Sequence, residues 1–234
     1  MFHKKSHLFL LLATVFGMNY VETMAENWLK TNYGLGAGSG RLITVAFQQF
    51  EHNLTFENHE ATSLIAVYGY SVAYFFFLPV LGILVAACLA KRADVAGLRA
   101  LSLAVTIDYL LSLPFFLFFP VPERWTSPDS AAILLSDVWS SKLIEGIRPL
   151  SGLDNSFPSF HVSMTVVIVL ICFLFKLRFR VTAAILGSLI VISTFILGIH
   201  WIPDILAGFA LGTLSAFLAV RLGAVLAKPS LRTT

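Results

Sequence analysis

Charge is scarce in this chain. Lys, Arg, Asp and Glu together make up 12% of its 234 residues, where a soluble domain carries roughly 25%. Hydrophobic residues reach 57% and mean hydropathy is +0.83. An ordinary soluble domain, with a polar surface wrapped around a core, is thereby excluded. Cysteine is nearly absent as well. Cys88 and Cys172 are the only two, both sit in apolar surroundings, and they read as buried thiols rather than a disulfide framework or a thiolate metal site. Also missing is a phosphate loop: Tyr33 to Gly40 is rich in glycine, but no strand precedes it and no Lys-Ser/Thr pair closes it. It reads as a flexible connector.

What the chain does have is long uncharged stretches. Ala61–Ala90, Asn155–Phe175 and Val181–Pro203 each approach or exceed the roughly 20 residues needed to cross a bilayer. Leu98–Phe119 adds a fourth span with Asp108 in its middle, and Ile202–Leu226 another with Arg221 close enough to its end to snorkel. Leu8–Val21 follows Lys4 and Lys5 but lacks a small-residue cleavage site after it, so it reads as a retained first span rather than a signal peptide. The expected fold class is therefore all-α, a polytopic membrane protein of six transmembrane helices forming a single domain over residues 1–234. Between the first two spans, Ile43, Ala46, Phe47, Phe50 and Leu54 recur at helical spacing, with Gln48, Gln49, Glu51 and His52 opposite them. That pattern predicts an amphipathic helix in the outer interface.

In a six-span arrangement eleven of the sixteen basic residues share one side: Lys4, Lys5, Lys91, Arg92, Arg99, Lys176, Arg178, Arg180, Arg221, Lys228 and Arg232. The positive-inside rule makes that side, and both termini, cytoplasmic. Lys30, Arg41, Arg124, Lys142 and Arg148 fall on the opposite face, which also carries two histidines. His161 closes the run Phe157-Pro158-Ser159-Phe160-His161, and His200 lies in Gly198-Ile199-His200-Trp201-Ile202-Pro203-Asp204.

Pro158 suits the first position of a helix capped by Asn155 or Ser156, whose free amide groups would attract an anion. Pro203 begins the last span, and Gly208-x-x-x-Gly212 within it reads as a packing face. A lone histidine at a span end is usually an interfacial hydrogen-bonding group. Two of them, with Asp204 four residues after His200, suit nucleophilic displacement at phosphorus: one imidazole attacks, the carboxylate orients it, and the other imidazole moves the proton. The spacing does not match a zinc motif and the outer loop lacks a carboxylate cluster for magnesium, so no metal or other cofactor is expected. Lys142, Arg148 and Arg124 suit an anion such as phosphate, or alternatively salt bridges and lipid headgroups. Asp108 reads as a structural hydrogen-bonding group, with proton supply as the alternative, and Tyr68, Tyr70 and Tyr74 as an aromatic belt or span packing.

Pro158-Ser159-Phe160-His161, then Ser193-Thr194, five residues, His200, three residues and Asp204, resembles the second and third signature motifs of the type 2 phosphatidic acid phosphatase superfamily. The Glu51–Glu57 stretch and Phe119-Pro120-Val121-Pro122-Glu123-Arg124 are most similar to the branch of inositol phosphorylceramide synthases. The resemblance implies that His200 attacks phosphorus to give a phosphohistidine, that Asp204 orients it, and that His161 protonates the leaving oxygen and then activates water or an alcohol. It implies that Ser159 and the amide of Phe160 hold nonbridging oxygens.

Three departures stand out. Phe160 replaces the usual Gly, and Thr194 stands where the family carries a phosphate-binding Arg. The first motif, Lys142 to Arg148-Pro149, is one residue short; Arg148, or failing it Arg124, would take over the phosphate. Losing an Arg suits a diester, which carries less charge than a monoester dianion. The expected partners are a membrane lipid substrate and an alcohol or lipid acceptor, with no nucleic acid, at a site on the extracytoplasmic side. A lipid phosphate monoester phosphatase and a nonenzymatic lipid-binding or transport protein are the competing readings.

Overall fold

The computed structural model describes residues 28–34, 36–53, 64–127, 130 and 154–227, with isolated positions before them. Apart from Ala13, Gly17 and Val21, the proposed first span lies outside the described residues, as do Lys142 and Arg148. Within them the chain is all-helical, apart from a single bridge between Val121 and Asn155. In chain order the helices are α1 (Ala37–Asn53), α2 (Leu64–Val72), α3 (Leu78–Lys91), α4 (Val95–Phe118), α5 (Phe160–Leu174), α6 (Arg180–Ile196) and α7 (Ile202–Ala227), with a short 3-10 turn at Arg124–Thr126. Among the described residues three helical stretches are long and apolar enough to cross a membrane: Ala66–Lys91, Val95–Phe118 and Ile202–Leu226. The apolar α5 and α6 are shorter.

Pro79 shapes the first of these stretches. Proline has no amide to donate to the carbonyl four residues back, and its ring crowds that carbonyl. The turn just before it widens into a π-helix over Ala73–Phe77 that joins α2 to α3. At the far end of α3, Lys91 to Asp94 reverse the chain, and Asp94 caps α4 by accepting from the Gly97 amide at 2.8 Å.

The core forms where α4, α5 and α7 meet. Gly208 and Gly212 lie on the α7 face turned to α5, so close that a methyl group on Gly212 would sit 2.3 Å from the Ser163 carbonyl oxygen and one on Gly208 2.7 Å from that of Ser159. Ala216 and Ala219 continue the buried stripe. Small residues let the backbones approach, as the sequence spacing predicts. In the same seam Asp108 of α4 accepts from Ser163 of α5 at 2.7 Å and from Ser215 of α7 at 3.0 Å. One carboxyl group thus joins three helices, the structural reading of Asp108. Around it Leu98, Leu101, Val105, Val167, Ile168 and Ile171 are buried.

Lys91, Arg92, Arg99, Lys176, Arg178, Arg180 and Arg221 lie toward the end of the bundle away from His161. Arg92 donates to the Phe175 carbonyl and Arg99 to that of Gly223, both at 3.2 Å. In helix α1, Ala46 and Phe50 of the expected apolar set are exposed, while Gly40, Thr44 and Glu51 are buried. Glu51 and Gln48, from its polar set, find partners in the Arg124–Ser127 segment. Residues 37–40 are already helical, so the glycine-rich stretch ends as the first turn of α1 rather than a connector.

The seam between α5 and α7 can be tested with Gly212→Ala. It should lower stability by about 1–3 kcal/mol, the usual cost of overpacking, read as a lower unfolding midpoint in detergent. Gly223→Ala, whose added methyl would make ordinary contacts of 3.7 Å and beyond, should leave the midpoint unchanged or slightly raised. Equal effects of the two would contradict the close approach.

Candidate active site

Three helix ends meet at one place, and each is built from its own local signals. Helix α6 ends in a Schellman turn: the Gly198 amide donates to Phe195 and the Ile199 amide to Thr194, at 3.0 and 3.2 Å. Gly198 takes φ 73°, a conformation costly for any residue with a side chain. The His200 amide then donates to the same Thr194 carbonyl at 3.0 Å. His200 is therefore held by the backbone at the end of α6 before α7 begins.

Helix α7 starts at Ile202 and carries Asp204 in its first turn. The Asp204 Oδ2 accepts from the Trp201 amide at 2.9 Å, the reciprocal bond of a capping box. The Ile202 amide is satisfied from far away in sequence, donating to Glu51 Oε1 of α1 at 2.7 Å. Two carboxylates thus face this helix start, where the backbone amides favour negative charge.

Helix α5 begins at Phe160, with Ser159 as its cap accepting from the Val162 amide at 3.4 Å. The expected cap, Asn155 or Ser156 ahead of Pro158, is displaced for a physical reason. Asn155 pairs with Val121, the Ser156 amide donates to the Val121 carbonyl at 3.0 Å, and the Ser156 hydroxyl is engaged elsewhere. Pro158, after a cis peptide bond, precedes the helix rather than opening it. The Ser159 amide donates to the Asp204 carbonyl at 3.1 Å, which fixes the start of α5 against that of α7.

These ends bring the two imidazoles together. The rings of His161 and His200 lie 6.4 Å apart between centroids, tilted by 51°. Tyr74, from the π-helix, stacks on His161 at 4.2 Å and 15°. Beneath His200, its Nδ1 is 3.5 Å from Asp204 Oδ2. The Ser156 hydroxyl lies between them, donating to Asp204 Oδ2 at 2.7 Å and standing 3.0 Å from His200 Nδ1. Asp204 is 0% exposed and His200 5%. His161 is less deeply covered.

Arg124 packs beside the turn that carries His200. Its amide donates to the Ile199 carbonyl at 3.0 Å, its Nε donates to Glu51 Oε2 at 2.7 Å, and its guanidinium lies 4.6 Å over the Phe195 ring. It is 3% exposed, yet its Nη1 has no partner among the described residues. Burial lifts the Glu51 carboxyl above its ordinary range, against the opposing pull of the Ile202 amide and Arg124. The Thr194 hydroxyl donates to the Val191 carbonyl at 2.7 Å, and its own carbonyl accepts from the Ile199 and His200 amides. Among the described residues no group of three or more His, Cys, Asp or Glu is placed to hold a metal ion.

His161, His200, Asp204, Ser159, Phe160 and Arg124 are thus assembled at one end of the bundle. Ser156, Tyr74 and Glu51 join them without having been picked out in the sequence as site residues. The site is a pair of imidazoles at one end of an apolar helical bundle, one of them backed by a buried carboxylate. Residues 97–226 match the PAP2 superfamily, which is more than half of the 234-residue chain. The chain belongs to that superfamily, one of lipid phosphatases and phosphotransferases. No curated protein and no solved structure matches it.

Removing one member of a buried ion pair leaves the other uncompensated and costs about 3–5 kcal/mol, whereas replacing both by apolar residues is often neutral. Glu51→Ala should therefore lower stability by that order in a denaturation series in detergent. Glu51→Leu combined with Arg124→Met should recover most of it. A single variant as stable as the unsubstituted protein would show that Glu51 does not anchor α1 to the site.

Proposed function

We propose that this chain is an integral-membrane lipid phosphotransferase or phosphatase that works through a phosphohistidine on His200. The observation that carries the reading is the convergence of His161 and His200, 6.4 Å between ring centroids, with Asp204 buried under only one of them. That asymmetry divides the labour. The imidazole backed by the carboxylate is the nucleophile, and the other moves protons.

In the first half-reaction His200 Nε2 bonds to phosphorus, the bond from phosphorus to the leaving oxygen breaks, and His161 protonates that oxygen. In the second, His161 takes the proton of water or an alcohol whose oxygen bonds to phosphorus, and the bond to His200 breaks. The Phe160 amide, at the start of α5 where no intrahelical acceptor exists, and the Ser159 hydroxyl, whose cap bond is long, hold nonbridging oxygens. Arg124 offers its Nη1 to the phosphoryl group, with Arg148 and Lys142 as further cations. No metal or other cofactor enters this scheme.

Transfer of a phosphodiester headgroup fits better than monoester hydrolysis. Thr194 stands in place of the family's Arg and its hydroxyl turns away, while Arg124 is already shared with Glu51. Among the described residues of the site little positive charge is left free, which suits the monoanion of a diester. The likeness to inositol phosphorylceramide synthases points the same way.

The arrangement we infer has six spans, with both termini cytoplasmic and the histidines on the extracytoplasmic side. Helices α5 and α6 have 15 and 17 residues, about 22 and 26 Å of helix, shorter than the ~30 Å hydrocarbon core. Their site ends continue as Asn155–Ser159 and Leu197–Trp201, in which Ser156, Ser159, Leu197, Ile199 and Trp201 are buried. Non-helical backbone is tolerated at membrane depth when protein covers it. The phosphorus would then be met just below the headgroup layer, with the lipid tails between helices.

The test is turnover by the purified protein in mixed micelles. It should consume phosphatidylinositol with an added alcohol acceptor faster than phosphatidic acid. Phosphate-labelled substrate should leave label on His200, and none in His200→Ala. His161→Ala should slow leaving-group release by about 100- to 10,000-fold. Cleavage of phosphatidic acid alone would make the protein a monoester phosphatase, and binding without turnover or label a lipid-binding protein.

A further inference from the structure

Ser156 precedes the signature motif by two residues, and its side chain joins the two groups whose direct contact is weakest. The carboxylate and the imidazole are 3.5 Å apart, too long for a good hydrogen bond. The hydroxyl spans them at 2.7 Å and 3.0 Å. It is 1% exposed, and its own amide is fixed to the Val121 carbonyl, so its position is set from both sides.

A hydroxyl has a single proton to give, and the neighbours decide where it goes. Asp204 Oδ2 already accepts from the Trp201 amide, which marks it as an acceptor. The Ser156 proton therefore points at Asp204, leaving only oxygen lone pairs toward His200. To bond there, Nδ1 must carry a proton. From this inventory we propose that Ser156 is a positioning residue, a hydroxyl relay between Asp204 and His200 that locks His200 in the Nδ1–H tautomer and leaves the Nε2 lone pair toward the cleft.

The proposal rests on the reading of His200 as nucleophile and adds a cause for it. When Nε2 bonds to phosphorus and Nδ1 keeps its proton, the ring becomes cationic. The chain Nδ1–H to Ser156 Oγ–H to Asp204 Oδ2 then carries the carboxylate's charge to it without moving a proton. When the phosphorus–nitrogen bond breaks, the ring returns to neutral. Fixing a tautomer through the second ring nitrogen is a general means of making imidazole a nucleophile or base.

The experiment uses the full chain in detergent micelles and two readouts. Nitrogen-15 NMR of the histidine-labelled protein, with His200 assigned by His200→Gln, should show the proton on Nδ1. Ser156→Ala should lose that tautomer, and Ser156→Thr should keep it. With labelled phosphatidylinositol and phosphatidic acid as probes, Ser156→Ala should lower kcat and the rate of labelling about 10- to 100-fold, the worth of a hydrogen bond to a charged group, with KM little changed. Ser156→Thr should restore most of the rate.

A wild-type His200 protonated on Nε2 would overturn the relay, as would a Ser156→Ala protein with unchanged tautomer and rate. If neither probe labels the wild type but the tautomer depends on the Ser156 hydroxyl, the nucleophile reading fails and the relay stands. If Ser156→Ala does not fold, the tautomer in the wild type and in Ser156→Thr decides alone. Nδ1–H in both supports the relay, and Nε2–H in either overturns it.

Discussion

A single carboxylate oxygen organises the site. Asp204 Oδ2 accepts the Trp201 amide and the Ser156 hydroxyl and faces the His200 ring, while the backbone carbonyl of the same residue accepts the Ser159 amide. Through these contacts the starts of α5 and α7 and the end of α6 are held as one unit. The other Asp204 oxygen, Oδ1, has no partner among the described residues, so the bonds to Oδ2 are what offset the cost of burying the carboxyl group. Asp204 also serves its own helix as a capping acid, so the feature that starts α7 is the one that orients His200. Structure and chemistry draw on the same bonds.

The rest of the bundle supplies the frame that this junction needs. Gly208 and Gly212 bring α7 against α5 at the turns bearing Ser159 and Ser163, and Asp108 ties both helices to α4 one turn deeper. From the outside, Glu51 reaches the first amide of α7 and holds Arg124 beside the α6–α7 turn. Tyr74 arrives from the remaining side, presented by a π-turn that Pro79 forces. His161 is thus packed by an aromatic face and His200 by a polar network.

Much of this was legible in the residues. The apolar runs marked the helices, the four-residue spacing of His200 and Asp204 put the carboxylate within reach of the ring, and the glycine pair marked the close face. What escaped were contacts between residues far apart in sequence. Ser156 looked like a helix cap, because nothing local shows a hydroxyl that its helix does not use. Tyr74 read as part of an aromatic belt or as span packing, but its stacking on His161 was hidden, because an α-helical period cannot register the extra residue of a π-turn. Glu51 lay on what reads as the wet side of an amphipathic helix, and its partner Ile202 is 151 residues away. Thr194 was noted as a missing Arg, yet its carbonyl, which holds His200, has no sequence signature at all.

The central claim is that two imidazoles from separate helices address one phosphorus centre. The most direct measurement is an experimental structure of the protein with orthovanadate, which adopts the five-coordinate geometry of phosphoryl transfer. The account predicts vanadium bonded to His200 Nε2, with His161 within hydrogen-bonding distance of the apical oxygen on the opposite side. Vanadate bound away from His200, or bound there with His161 turned out of the cleft, would contradict it.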